Sequence, residues 1–266
     1  MTDTPHVTEP IPPFRQLVID GMELAARKHC IHGLIEVDIS QAREHLRRIK
    51  ETSGESLSFT GFIVYCCARA VDEDKHLHGY RDWRNRLVLF DDVDVSLPVE
   101  RQQHGQPVVL QTVIRAANRK SVWQIHREIR ALQNKELVDT AWGRWLRWYV
   151  LVPRFMRSLF FRFAQRVPTL LKSFNGTVLV TSVGMFGSIA GWGIPLAGHT
   201  LCITVGGIEQ KPMVENGQIT NREHLRLTVT FDHDIIDSGP AARFSQRFAT
   251  LVQEAAGLNE PQSLPQ

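Results

Sequence analysis

Apolar residues Phe14, Leu17, Val18, Met22 and Ala25 recur at the three- and four-residue spacing that lines one face of a helix, and the run IHGLIEVDI (31–39) behind them reads as a strand. Ser40 is placed to cap a second helix carrying Ala42, Leu46 and Ile49 along one side, with a polar, glycine-containing loop at 53–58. The next helix starts near Thr60. Its sequence FIVYCCARAV is apolar nearly all round, which predicts a buried helix. Strands follow at RLVLF (86–90), in the alternation Val93, Val95, Leu97, Val99, and at PVVLQTVI (107–114), with a turn around His104 and Gly105. Ser121 with Gln124 is a capping box opening a helix striped by Val122, Ile125, Ile129 and Leu132. Three more strands, TVLVTSV (177–183), TLCITVGG (200–207) and LRLTVTF (225–231), precede a C-terminal amphipathic helix. That helix has Pro240 at its start and Ala241, Phe244, Phe248, Leu251 and Val252 on one face. The pattern is mixed α/β, with no linker that splits the chain.

One stretch breaks this pattern. Residues 140–174 (TAWGRWLRWYVLVPRFMRSLFFRFAQRVPTLLKSF) hold three tryptophans, a dense set of phenylalanines and leucines, seven cations and no acidic residue. Its apolar runs fall well short of the ~18 residues that span a bilayer. Two arrangements fit it. In one, a helical pair broken at Pro153 packs its aromatics on the domain or on a neighbouring subunit while the arginines snorkel outward. In the other, tryptophan and arginine lie in a membrane interface or cover a substrate entrance. Over all 266 residues, 31 Lys and Arg against 28 Asp and Glu give a charge of +3, which excludes a uniformly basic nucleic-acid binder. Without this stretch the balance is 24 basic to 28 acidic, so a near-neutral total covers a mildly acidic body and a strongly basic segment.

The remaining chemistry is sparse. Cys30, Cys66, Cys67 and Cys202 have neither CxxC nor zinc-ligand spacing and read as reduced core residues. No phosphate loop, GxGxxG, GxSxG or HExxH is present, and His29 and His32 have no third ligand near them in sequence, so no metal is expected. The N-terminus has no signal-peptide pattern, which predicts a cytoplasmic protein. The loop Asp232-His233-Asp234-Ile235-Ile236-Asp237-Ser238-Gly239 lies between the last strand and the last helix, where catalytic groups commonly sit. Imidazole, with an ordinary pKa of ~6.5, can take a proton from a thiol or hydroxyl. An acidic cluster at a helix start beside a bystander histidine reads equally well from these residues alone.

The run FDHDIIDSGPAARF, preceded by GTVLVTSVGMFG and VGGIEQKPMVENGQI, resembles the catalytic domain of the dihydrolipoyl acyltransferases of 2-oxo acid dehydrogenase complexes and, more distantly, chloramphenicol acetyltransferase. FRQLVIDGM and LIEVDISQAREHLRRIK are similar to that family's opening helix and its first strand and helix. The resemblance implies a two-layer α/β sandwich with a mixed sheet, spanning 14–258 behind an arm at 1–13, with an insertion at about 139–173 and a tail at 259–266. It implies an acyltransferase that moves an acyl group from a thioester to a thiol or hydroxyl acceptor. Coenzyme A or acyl-coenzyme A would be the substrate, with no metal. His233 takes the place of the general base, Thr181 that of the hydroxyl that stabilises the oxyanion with Ser182 beside it, Asp237 that of the signature aspartate, and Arg15 that of the aspartate's cationic partner. It implies a homotrimer, or a multiple of trimers, with base and oxyanion donor meeting between chains.

Three departures qualify the resemblance. Asp234 stands where the family has arginine, and Ser238 where it has glycine. No lipoylation site is visible, so the chain reads as a free-standing catalytic domain with no lipoyl group of its own, served at most by a lipoyl-domain protein in trans. The basic aromatic segment is the third. It raises the rival expectation of a catalytically silent trimeric scaffold docking a membrane or protein partner through 140–174, in the cytoplasm or peripherally at a membrane, with no role for nucleic acid.

Overall fold

The computed structural model describes residues 6–9, 11–103, 106–134, 148–183, 190–196, 198–215 and 217–259. Helix α1 (Pro13–Ala25) leads into strand β1 (Cys30–Asp38), followed by helices α2 (Ser40–Ser53) and α3 (Phe59–Asp72). Short strands β2 (Tyr80–Arg81) and β3 (Leu87–Val88) form a separate ribbon. Strands β4 (Val95–Gln103) and β5 (Gln106–Ile114), helix α4 (Val122–Asn134), helices α5 (Arg154–Gln165) and α6 (Pro168–Asn175), strands β6 (Val178–Ser182), β7 (Leu201–Glu215) and β8 (Gln218–Asp232), and helix α7 (Ser238–Gln253) complete the described order.

Six strands make one mixed sheet in the order β1-β8-β7-β6-β4-β5. Strand β6 runs parallel to both β4 and β7, and the other pairings are antiparallel. The inner face of the sheet, with Val178, Val180, Ile203, Leu225, Leu227 and Val229, is buried in one core with α3, α4 and α7. This is the two-layer sandwich expected. Helix α3 is buried from Gly61 to Ala68, as its all-round apolar sequence requires, and Ser58 caps it by accepting from the Gly61 N–H. The capping box forms: the Ser121 N–H donates to Gln124 Oε1 and the Gln124 N–H to Ser121 Oγ, at 2.9 and 3.3 Å. Cys66, Cys67 and Cys202 are buried free thiols, and burial pushes Cys202 up to about 12.

Several local expectations change. Ser40 is not a cap; its N–H donates to Asp38 Oδ1, and its hydroxyl accepts from the Glu223 N–H and so ties α2 to β8. The run 86–90 supplies only the two residues of β3. Asp82 captures the N–H groups of Arg84 and Arg86 and the Arg86 side chain, so the backbone turns here before it can extend. Pro153 breaks the 140–174 segment as expected, at the N-cap of α5. The side that faces the body is the reverse of aromatics packed on the chain's own domain, because Arg157 and Ala164 are buried while Phe155, Leu159 and Phe163 are exposed. A buried carboxylate explains the inversion. Asp20 of α1 accepts Arg157 Nε at 2.8 Å, Tyr149 Oη and Gln16 Nε2, so the guanidinium turns inward. Residues 140–147, and with them Trp142, Trp145, Arg144 and Arg147, lie outside the described residues.

Candidate active site

His233 is the first residue after β8, and the loop that holds it is anchored on both sides. Its backbone N–H donates to His29 O at 2.7 Å. Asp232, buried, is paired with Lys28 Nζ at 2.7 Å, and its carbonyl and carboxylate accept from the backbones of Asp234, Ile235 and Ile236. Ile236 plugs into the core as the chain turns toward α7. The His233 side chain is 39% exposed, with Nδ1 3.9 Å from Asp237 Oδ1. Asp237 is the N-cap of α7 but makes no side-chain capping bond, and its carboxylate is 90% exposed.

Asp234 acquires a place that its identity alone did not suggest. Its carboxylate meets His29 Nδ1 at 2.9 Å and Arg81 Nη2 at 3.7 Å. The hydrogen bond from His29, and then the charges of His29, Arg81 and Lys28, hold its carboxyl below the usual range. Cations from β2 and from the α1–β1 turn thus stand beside the loop in place of an arginine within it. Lys28, His29 and Arg81 were not legible as site residues, since each meets the loop only through tertiary pairing.

Thr181 is placed by the elements around β6. Arg115 pairs with buried Asp94 at 2.8 Å and donates to the Lys172 carbonyl at the end of α6. The Thr177 N–H then donates to Asp94 O at 2.7 Å, starting β6 beside β4. Gly176 makes the corner at φ 70°, where an added Cβ would stand 2.7 Å from Asp94 O, so a side chain is excluded on two counts. Along β6, Val178 and Val180 point into the core, so by strand alternation Thr181 belongs to the outer face and Ser182 to the inner side. One reacting centre therefore cannot use both hydroxyls. Thr181 continues a cross-strand row with Thr204, Thr228 and Leu34, and an added Cβ on Gly193 would come within 3.1 Å of Thr204 Cγ2, so the 190–196 loop lies against this row.

The structure does not bring His233 and Thr181 together in one chain. Register puts Thr181 level with Thr228, five residues before His233 on β8 and two strands away. At ~3.3 Å per residue and ~4.8 Å per strand, the two lie about 17 Å apart along the sheet and about 10 Å across it. Among the described residues the ion pairs of the loop join it to Lys28, His29 and Arg81, and none joins it to Arg15. The expected Arg15–Asp237 pair is therefore not formed within the chain. His233 is the ionisable side chain that Asp237 faces. His29 and His32 sit at the head of β1, turned to Asp234 and Thr230. Among the described residues no His, Cys, Asp and Glu group is placed to hold a metal ion.

This fold, a mixed sheet with helices on one face, is similar to that of solved dihydrolipoamide acetyltransferase cores. A probable dihydrolipoamide acetyltransferase from Listeria monocytogenes superposes with a TM-score of 0.72 at 21% identity, covering 98% of this chain and 99% of that one. The cubic core of a pyruvate dehydrogenase multienzyme complex does so at 0.67 and 17%, covering 97% and 99%. The mitochondrial succinyltransferase component of the Saccharomyces cerevisiae 2-oxoglutarate dehydrogenase complex is 25% identical over 224 residues, 82% of this chain and 41% of the relative. The acetyltransferase component of the Staphylococcus epidermidis pyruvate dehydrogenase complex is 23% identical over 98% of this chain and 53% of the relative. The chain thus spans about half the length of these curated relatives. The chain belongs to the family of the 2-oxoacid dehydrogenases acyltransferase catalytic domain, whose model matches residues 4–139 and 170–259. The unmatched residues between them include α5.

Proposed function

We propose that this protein transfers an acyl group between a thioester and a thiol acceptor, with His233 as general base, Thr181 as oxyanion donor and coenzyme A as one of the thiols, in a site assembled between subunits of a trimer. The observation that carries the reading is the placement of His233 and Thr181 at opposite ends of the sheet in one chain of an acyltransferase family. Each end holds half of a reaction centre. A neighbouring copy that brings its sheet end against the His233 loop completes it.

The chemistry follows from the two groups. Neutral imidazole takes the thiol proton as sulfur attacks the thioester carbonyl. A hydroxyl aimed at the developing oxyanion is worth about 3–4 kcal/mol of transition-state stabilisation. Collapse expels the other thiol, which recovers the proton from the imidazolium. Spacing supports the residue assignment. In the dihydrolipoamide acetyltransferase of Azotobacter vinelandii, a serine, a histidine and an asparagine have been investigated for their role in catalysis. They are separated by fifty-two and then four positions, the same intervals that separate Thr181, His233 and Asp237 here.

The test is thiol release from a panel of acyl-coenzyme A esters with dihydrolipoamide and simple thiols as acceptors. Wild type turns over and His233→Ala does not; equal rates would remove His233 from the reaction and favour the scaffold reading. Refolding His233→Ala together with Thr181→Ala tests the sharing of the site. Mixed trimers place an intact histidine opposite an intact threonine at some interfaces and regain activity, whereas a site contained in one chain regains none.

A further inference from the structure

We propose that α5 is a docking surface for an anionic lipid bilayer, lying in the plane of the headgroups. The helix is inverted. Its inward side is Arg157 and Ala164, while Phe155, Met156, Leu159, Phe160 and Phe163 form one outward stripe. Phe155 and Phe163 are 71% and 62% exposed. Trp148 and Leu151, in the turn before Pro153, extend the same exposure. Each phenylalanine has about 150–250 Å² to bury, so the stripe reaches or exceeds the few hundred Å² that isolated soluble proteins usually leave open.

Charge selects the occupant. At 100° per residue, Arg162 and Arg166 fall along one edge of the stripe, flanking Phe155. Neither has an acidic partner among the described residues, whereas Arg154 and Arg157 are paired with Glu23 and Asp20. No acidic residue occurs anywhere from 140 to 174. A second element adds to the surface: the Trp83 N–H donates to Arg166 O at 3.2 Å, Trp83 is 63% exposed, and the Arg84 guanidinium stacks 4.4 Å over its ring. An apolar stripe edged by unpaired arginines, with a tryptophan–arginine pair at its end, has the chemistry of an interfacial helix on anionic lipid. A second copy of the same helix would set arginine against arginine. The common family core has no claim on the face either, since the family model leaves 140–169 unmatched. None of the described helices is long and apolar enough to cross a membrane, which leaves the in-plane arrangement.

The test is flotation of the full chain with vesicles of phosphatidylcholine alone and of phosphatidylcholine with one part in four phosphatidylglycerol, at low and high salt. Light scattering reports the oligomeric state in parallel. Binding to the anionic vesicles only, weakened by salt, is expected. Arg162→Gln with Arg166→Gln lowers it about fivefold per arginine, and Phe155→Ser with Phe163→Ser lowers it more than tenfold, with oligomeric state unchanged in both. Absence of wild-type binding, or variants that bind as wild type does, overturns the proposal. So does a change of oligomeric state in either variant, because the stripe is then an interface between copies.

Discussion

The Asp20–Arg157 pair carries a quantitative prediction about how α5 is held. Both side chains are almost fully buried. Asp20 accepts from Arg157, Tyr149 and Gln16, and Arg157 Nη1 donates to Val152 O at 2.9 Å, so the charges are well satisfied. Phe155, Leu159 and Phe163 of α5 are turned outward, and Arg154 pairs with Glu23 of α1 beside the cluster. Replacing Arg157 by methionine leaves a buried carboxylate without its cation, which typically costs ~3–5 kcal/mol. The cost falls on local opening of α5, because the pair ties α5 to α1 and neither residue belongs to the hydrophobic core cluster. Hydrogen exchange of peptides from 148–166 is then expected to speed up by two to three orders of magnitude, with little change in the exchange of β7 and β8. Replacing both partners, Asp20→Leu with Arg157→Met, removes the stranded charge and brings exchange back to within ~1–2 kcal/mol of wild type, the remainder being the hydrogen bonds that Tyr149 and Gln16 made to Asp20. Exchange of Arg157→Met within threefold of wild type would refute the reasoning. A double variant as open as the single one would show that lost volume rather than charge had been measured.

Thr181→Ala should lower kcat by ~10²–10³ with little change in KM, while Ser182→Ala, on the other side of β6, should leave kcat within a few-fold; equal losses would contradict the strand geometry. Buried His78 and His199 are both pushed down to about 4 by burial, against ~6.5 when unfolded. The unfolded chain therefore takes up protons first, so stability is full above about pH 6.5 and falls toward pH 4 by up to ~1.4 kcal/mol per pH unit for each histidine. Urea midpoints across that range check this, and a flat profile would refute it. Gly206→Ala should destabilise the protein by ~1–3 kcal/mol and displace the 190–196 loop, because its Cβ would stand 2.9 Å from Arg226 O and closer still to Gly191 O, neither of which can rotate away. Thermal melting and the fluorescence of Trp192 report the two effects.

Most elements were legible because local rules and tertiary packing agree there. The alternation of β8, the capping box at Ser121 and the all-round apolar α3 each describe a face that the fold then buries. The failures are equally local in origin. Ser40 looked like a cap, but its hydroxyl is taken by β8 across 183 positions of sequence. The strand at 86–90 was cut to two residues by Asp82, whose turn-forming bonds cannot be weighed against β-propensity from composition.

The site shows the same division more sharply. His233 is visible in sequence because the loop between β8 and α7 is contiguous, and its residues sit together whatever the rest of the chain does. What holds that loop is not contiguous. Lys28, His29 and Arg81 reach it from elements some two hundred and one hundred and fifty positions away. Asp234, which as a substitution looked like the loss of an arginine, is the acceptor that His29 and Arg81 meet, while Lys28 pairs with Asp232. The loop's charge pairing comes from the elements beside it, which makes the loop a structured carrier for His233. Asp232 and Asp234, with Lys28, His29 and Arg81, hold the loop around one half-exposed histidine. This arrangement makes Asp234→Arg without a matching change at Arg81 a damaging substitution, because two like charges would then meet where an ion pair now stands.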